Sequence, residues 1–265
     1  MCLIAVAWRA HPRFELALIA NRDELHARPT APAGFDPEFP DVYGGRDLQA
    51  GGSWLLACAR GRLAAVTNVR AGRNPDVAPR SRGALVRGFA AGGQSAVEFA
   101  SALAPTAAEY GRFNLLLWDG GALEFASNHP TFVRLPVAPG LHAMSNGAFD
   151  APWPKSGHAT RALRAWLESP GSRGGIDGQT MAPLFDALAD TTPAPDVALP
   201  DTGVGLELER ALSPPFVLGE HYGTRCSTVV LVDGNGIVFA ERRFEAGAGI
   251  AGESLVRMDR MNRCT

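Results

Sequence analysis

Cysteine is scarce and dispersed: Cys2, Cys58, Cys226 and Cys264 are spread over 265 residues without a CxxC pair. That spacing argues against a disulfide framework or a cysteine-rich zinc site. The six histidines, at 11, 26, 129, 142, 158 and 221, show no HExxH or similar ligand spacing, so neither a metal nor another cofactor is expected. Charge excess is missing too. Twenty-five Lys and Arg against 27 Asp and Glu leave a net charge of −2, which gives no long-range pull toward nucleic acid or an anionic membrane. No apolar run approaches the roughly twenty residues that cross a bilayer. The apolar opening segment is short, has no basic stretch before it and soon meets Arg9, Arg13 and Glu15, unlike a secretory signal. A cytoplasmic location is the expectation. There is no P-loop and no Gly-x-Ser-x-Gly elbow. A GxGxxG string at Gly247–Gly252 opens no βαβ unit, and too few residues follow it for the acidic residue that dinucleotide binding needs about twenty positions on.

What is present is the composition of an ordinary soluble protein, 46% hydrophobic and 20% charged. Residues 2–8 and 15–21 read as a hairpin rich in Leu, Ile, Val and Ala. The proline-rich stretch 28–40 reads as an irregular wall or lid, followed by glycine punctuation at Gly44-Gly45 and Gly51-Gly52. Hairpins are expected at 53–60 with 62–68, at 113–118 with 122–127, and at 227–232 with 237–241; the last turns at Asp233-Gly234-Asn235-Gly236. Further strands are expected near 132–135 and 141–145. Helical spacing appears over 81–91, 94–103, 157–168 and 179–189, and residues 191–205 read as an exposed connection. Hairpins interrupted twice by a helix pair, with several strands apolar along their whole length, predict two stacked antiparallel sheets with helices on both outer faces. The expected fold class is α+β, a four-layer αββα sandwich forming one domain over residues 1–265.

Chemistry concentrates at the start of the chain. Cys2 follows the initiator directly. If Met1 is removed, one residue carries both a thiol and an α-amine, and the amine, with a pKa near 7.7, titrates in the range a general base needs. The other reading of Cys2 is a small buried hydrophobe in a first strand. Strand ends offer further polar groups: Asp23 to orient the amine, Asn68 and Asn146 as amide donors, and Arg225 as a cation favouring thiolate. With Cys2 these form the candidate catalytic set, and Asn21, Arg22 and Arg70 are the candidate substrate-binding residues. Each also has a plain reading, as a turn residue, a solvated carboxylate or a surface cation.

Met1-Cys2-Leu3-Ile4, Asn21-Arg22-Asp23-Glu24, Arg28-Pro29-Thr30, Gly44-Gly45-Arg46-Asp47, Thr67-Asn68-Val69-Arg70, Ser145-Asn146-Gly147, Pro152-Trp153-Pro154-Lys155 and Tyr222-Gly223-Thr224-Arg225 occur in this order. Together they resemble the NRDE family, also called the transport and Golgi organisation protein 2 family. That family is similar to N-terminal nucleophile (Ntn) hydrolases of the bile-salt hydrolase and penicillin V acylase kind. The resemblance implies a hydrolase of non-peptide C–N bonds in a small acylated metabolite. Cys2 would be nucleophile and base, Asp23 the amine's orienter, Asn68 and Asn146 the oxyanion or amine partners, and Arg225 the thiol-proximal cation. Eukaryotic relatives imply an alternative, a carrier connected with haem trafficking or acyl-CoA and lipid homeostasis. The lack of an obvious His/Cys axial pair weakens haem coordination. Oligomeric state is left open by the sequence.

Overall fold

Residues that alternate between two apolar environments set the architecture. The computed structural model describes residues 2–73 and 76–260, and of Cys2 the backbone only. The first strands are β1 (Cys2–Trp8) and β2 (Leu16–Leu25). Even positions Ile4, Val6, Leu16 and Leu18 enter a core shared with Tyr43, Leu55, Leu116 and Trp118. Odd positions Leu3, Ala17 and Ile19 pack on Leu163, Trp166 and Leu184. A strand buried on both faces reads as continuously apolar because both of its side-chain rows find a hydrophobic layer. Each fully buried Leu or Phe in such layers contributes about 1.5–3 kcal/mol.

The chain continues through β3 (Thr30–Phe35), β4 (Val42–Asp47), β5 (Leu55–Cys58), β6 (Arg62–Asn68), α1 (Arg82–Ala91) and α2 (Ala96–Ala102). Next come β7 (Phe113–Trp118), β8 (Leu123–Ser127), β9 (Val133–Pro136) and β10 (Gly140–Met144). Then follow α3 (Pro154–Glu168), α4 (Gly178–Leu188), α5 (Leu206–Ala211), β11 (Tyr222–Asp233), β12 (Gly236–Phe244) and β13 (Ile250–Asp259). One sheet has the order β10-β1-β2-β11-β12-β13, the other β3-β4-β5-β6-β7-β8-β9. Helices α3 and α4 cover the outer face of the first sheet, where Leu163, Trp166, Met181 and Leu184 pack. Helices α1 and α2 cover the second with Leu85, Phe89 and Ala100. This is the expected αββα sandwich. Glu241 ties the sheets together, its buried carboxylate accepting from the Ala33 amide at 2.9 Å. Among the described residues no helix is long and apolar enough to cross a membrane.

Two local expectations are corrected. The stretch expected to be a lid is partly a strand: β3 pairs with β4, and a register irregularity between Ala31 and Gly34 accommodates Pro32, which has no N–H to give the ladder. Gly44-Gly45-Arg46-Asp47 lies within β4 rather than in a loop. Residues 191–205 form the expected connection, without strand or α-helix, and lead into α5, a turn of helix too short for a periodic signal. The glycine string at 247–252 runs into β13, which begins at Ile250.

Candidate active site

Three strand ends meet at one rim of the first sheet. The Cys2 backbone pairs with Arg22, and Arg22 pairs on its other side with Cys226. Asp23 pairs with Thr224, and a bulge takes up Arg225 between Thr224 and Cys226. The excision of Met1 and the thiol of Cys2 fall outside the described residues.

Asp23 is 1% exposed. The Thr224 hydroxyl donates to Asp23 Oδ1 at 2.6 Å and itself accepts from the Val217 amide at 2.9 Å, which fixes the hydroxyl's direction. Tyr222 Oη donates to the Asp23 carbonyl at 3.1 Å. Lys155, the only lysine in the sequence, is buried at the start of α3, where its Nζ donates to the Leu212 carbonyl at 3.1 Å. Burial pushes the Asp23 carboxyl above the ordinary aspartate range, while the Lys155 ammonium, the Thr224 hydrogen bond and Arg22 pull it back.

Arg22 is almost fully buried, yet its polar contacts are long: 3.4 Å to Thr30 Oγ1 and 3.6 Å to Glu24 Oε2. Its guanidinium lies 4.3 Å from the Trp54 ring centroid. A Cβ on Gly45 would clash with that indole, so glycine is what lets Trp54 pack beneath the arginine. The same construction recurs across the cleft. Arg70 lies 5.2 Å from the Trp153 centroid, and a Cβ on Gly147 would come within 2.5 Å of Trp153. Arg70, however, is held tightly by Glu209 at 2.6 Å, and burial lowers its pKa.

Two cavities open between these pairs. One, of about 440 Å³, is lined among others by Arg22, Asp23, Glu24, Arg28, Trp54 and Asn68. The other, of about 470 Å³, is lined by Asn68, Arg70, Asn146, Leu208, Leu212 and Tyr222 among others. Glu24, Asn68, Asp76 and Arg82 line both.

The remaining candidates stand in different places. Asn146 is fully buried, and its Nδ2 donates to the Asn68 carbonyl at 2.8 Å, locking the end of β10 to the end of β6. Asn21 lines neither cavity. Its Nδ2 donates to the Leu188 and Pro215 carbonyls, each at 2.8 Å, and its Oδ1 accepts from Ser227 at 2.6 Å. Arg225 donates from Nη1 to the carbonyls of Leu25, His26 and Arg28 and pins that turn. Asn146→Ala is expected to cost about 2 kcal/mol, because the Asn68 carbonyl loses its donor. Urea unfolding measures this; an unchanged midpoint would mean that the tie is replaced without loss.

A model of the Transport and Golgi organisation 2 family matches residues 1–246. The chain belongs to that family. It is 31% identical to a Transport and Golgi organization protein 2 homolog of Bos taurus over 266 residues, covering 91% of this chain and 92% of the relative. The corresponding Homo sapiens homolog is 29% identical over 259 residues with the same coverage. Among solved structures the fold is similar to the C2A mutant of a conjugated bile acid hydrolase from Clostridium perfringens, with a TM-score of 0.55 and 8% identity over 98% of this chain and 93% of that one. A Caenorhabditis elegans ortholog of N-acylethanolamine-hydrolyzing acid amidase aligns with a TM-score of 0.51 and 11% identity over 87% of this chain and 92% of that one.

In this Transport and Golgi organisation 2 family member, four neighbours of the candidate residues were given no role by sequence reasoning. Glu24 lines both cavities, Thr224 and Lys155 set the state of Asp23, and Trp54 supports Arg22. For Lys155 a signal existed. A solitary lysine two residues after a tryptophan, at the start of an amphipathic helix, falls on the helix's buried stripe with Ala159 and Leu163.

Proposed function

We propose that this chain is a cytoplasmic Ntn-type cysteine amidohydrolase that cleaves a non-peptide C–N bond in a small acylated metabolite. The observation that carries the reading is Asp23, a buried carboxylate held in one orientation by Thr224 and lining the same cavity as Arg22 and Asn68, on the strand paired with Cys2. Burying an acid that no core requires costs stability, and such groups mark sites.

In the proposed reaction the Cys2 sulfur attacks the amide carbonyl carbon while its own α-amine takes the thiol proton. The C–N bond then breaks as that proton passes to the leaving amine. Water hydrolyses the resulting thioester with the α-amine again as base. Asp23 orients the protonated amine. Asn68 faces both cavities and serves as the oxyanion donor, and Asn146 positions it by holding its carbonyl. Arg22, loosely paired and stacked on Trp54, takes an anionic part of the substrate. The less polar wall of Leu208, Leu212 and Tyr222 takes the acyl part. Support comes also from the two structural neighbours, which are named for hydrolysing conjugated bile acids and N-acylethanolamines, the first solved with alanine at position 2.

The test is intact-mass analysis combined with an electrophilic acyl probe. Expected are loss of Met1 and labelling of Cys2, with Cys58 and Cys226 silent because both are buried and burial raises the Cys58 thiol. Retained Met1 with an unlabelled Cys2, in a protein that binds haem or an acyl-CoA, would replace the hydrolase by a carrier.

A further inference from the structure

Each sheet has two edges, and three of the four are blunted. Edge strand β3 contains Pro32 and its register irregularity. Edge strand β9 has four residues and ends on Pro136. Along β10, Asp150 closes the outer side: its backbone N–H donates to the Ala143 carbonyl at 3.0 Å, and its carboxylate accepts the Ala143 N–H at 2.8 Å. Pro, short length and side-chain cover are the devices by which proteins keep open edges from pairing.

Strand β13 has only a register irregularity at its start, where Arg243 pairs with Gly252 and Phe244 with Ile250. It runs ten residues, Ile250–Asp259, without proline or lysine; Arg243 Nη2 reaches the Glu253 carbonyl at 3.5 Å, and among the described residues no strand pairs with its outer side. Its alternation is regular: Glu253, Leu255 and Arg257 are exposed while Gly252, Ser254 and Val256 are half-covered and Met258 is buried. Leu255, half exposed, sits midway between an acid two residues before it and a base two residues after it. That order is self-complementary. If a second copy pairs antiparallel with Leu255 on the two-fold axis, Glu253 of each copy stands opposite Arg257 of the other. Two cross-strand ion pairs then flank a Leu–Leu contact. Glu253 already receives Arg242 Nε at 2.6 Å, which leaves its second oxygen for the facing arginine.

We infer that β13 is a homodimer interface, joining two copies through their edge strands into a continuous twelve-stranded sheet, six strands from each. This rests on the strand's geometry and charge order, independently of any activity at Cys2.

Sedimentation or light scattering of the full chain at about 1–100 μM, the range that reports micromolar association, tests it. The wild type is expected to dimerise. Glu253→Arg alone and Arg257→Glu alone each set like charges opposite one another and raise the dimer dissociation constant about tenfold or more. An equimolar mixture of the two variants restores dimers, because the mixed pair has opposite charges at both positions; the double swap restores them as well. Circular dichroism of each single variant confirms that it is folded. A wild type that stays monomeric, a dimer indifferent to both single changes, or a mixture that stays monomeric overturns the inference.

Discussion

Asp23→Asn is expected to make the protein more stable at neutral pH and much slower to acylate. Both effects follow from one buried carboxyl. Its folded pKa lies above the unfolded value of about 3.9, because burial outweighs Lys155, Thr224 and Arg22. Below about pH 3.9 both states hold the proton and the group is neutral in the balance. As pH rises from there to the folded pKa, the unfolded chain ionises while the folded one keeps its proton, so stability falls across that window and stays lowered above it. Asparagine removes the penalty and keeps an oxygen for the Thr224 hydroxyl. Leaving Lys155 without an anionic neighbour works against the gain, but the upward shift means that burial is the larger effect. The gain is expected at about pH 7.5 and is close to none at about pH 3.5, read from urea unfolding at both. Acylation of Cys2 by the probe should slow about 100-fold, since the amine loses its orienting charge. A variant equally or less stable at pH 7.5 would deny the burial penalty, and one that acylates at the parent rate would deny Asp23 its orienting role.

The fold was largely legible because its strands obey simple rules. Residues 16–20, Leu-Ala-Leu-Ile-Ala, are apolar on both rows, and two hydrophobic layers receive them. The Asp-Gly-Asn-Gly turn forces the β11–β12 hairpin, where Asp233 pairs with Gly236. What stayed hidden was non-local. Nothing in the local pattern says that Pro32 lies in an edge strand, because its neighbour β4 supplies the pairing. Gly44-Gly45 looked like a turn, although Gly45 is needed to admit the indole of Trp54, nine residues away in the chain. The site was legible as residue types and only partly as positions. Arg22 and Asp23 line one cavity although they are neighbours on β2, and no spacing rule reveals that Arg225 Nη1 donates to the carbonyls of Leu25, His26 and Arg28. Likewise Asn21 is fixed by Leu188 and Pro215, more than 160 residues downstream. Polar side chains near a site divide into those that meet substrate and those that hold strand ends in place, and only three-dimensional hydrogen-bond accounting separates them.

Removing the thiol and removing the amine are expected to fail in different ways, and that difference is the sharpest consequence of an N-terminal nucleophile. Cys2→Ala deletes the attacking atom and should abolish acylation, lowering any hydrolytic rate by about 10³-fold or more. An uncleavable extension ahead of Cys2 keeps the thiol but turns its α-amine into a peptide N–H, which cannot accept a proton. Such a chain should still react with a strongly electrophilic probe, though about 100-fold or more slowly at pH 7.5, which is the usual worth of a positioned general base. The pH dependence should separate them further. In the mature protein, acylation rises through the titration of an amine near pH 7.7, whereas in the extended protein it follows an ordinary thiol near 8.5. Matching melting temperatures for parent, Cys2→Ala and the extended form would place the loss in the chemistry, since β1 pairs through its backbone with β2 whichever group sits at position 2. If the extended chain acylates as fast as the mature one, with the same pH profile, the amine is not the base. A base from elsewhere at the rim, with Glu24 the nearest unassigned carboxylate lining both cavities, would then have to take its place.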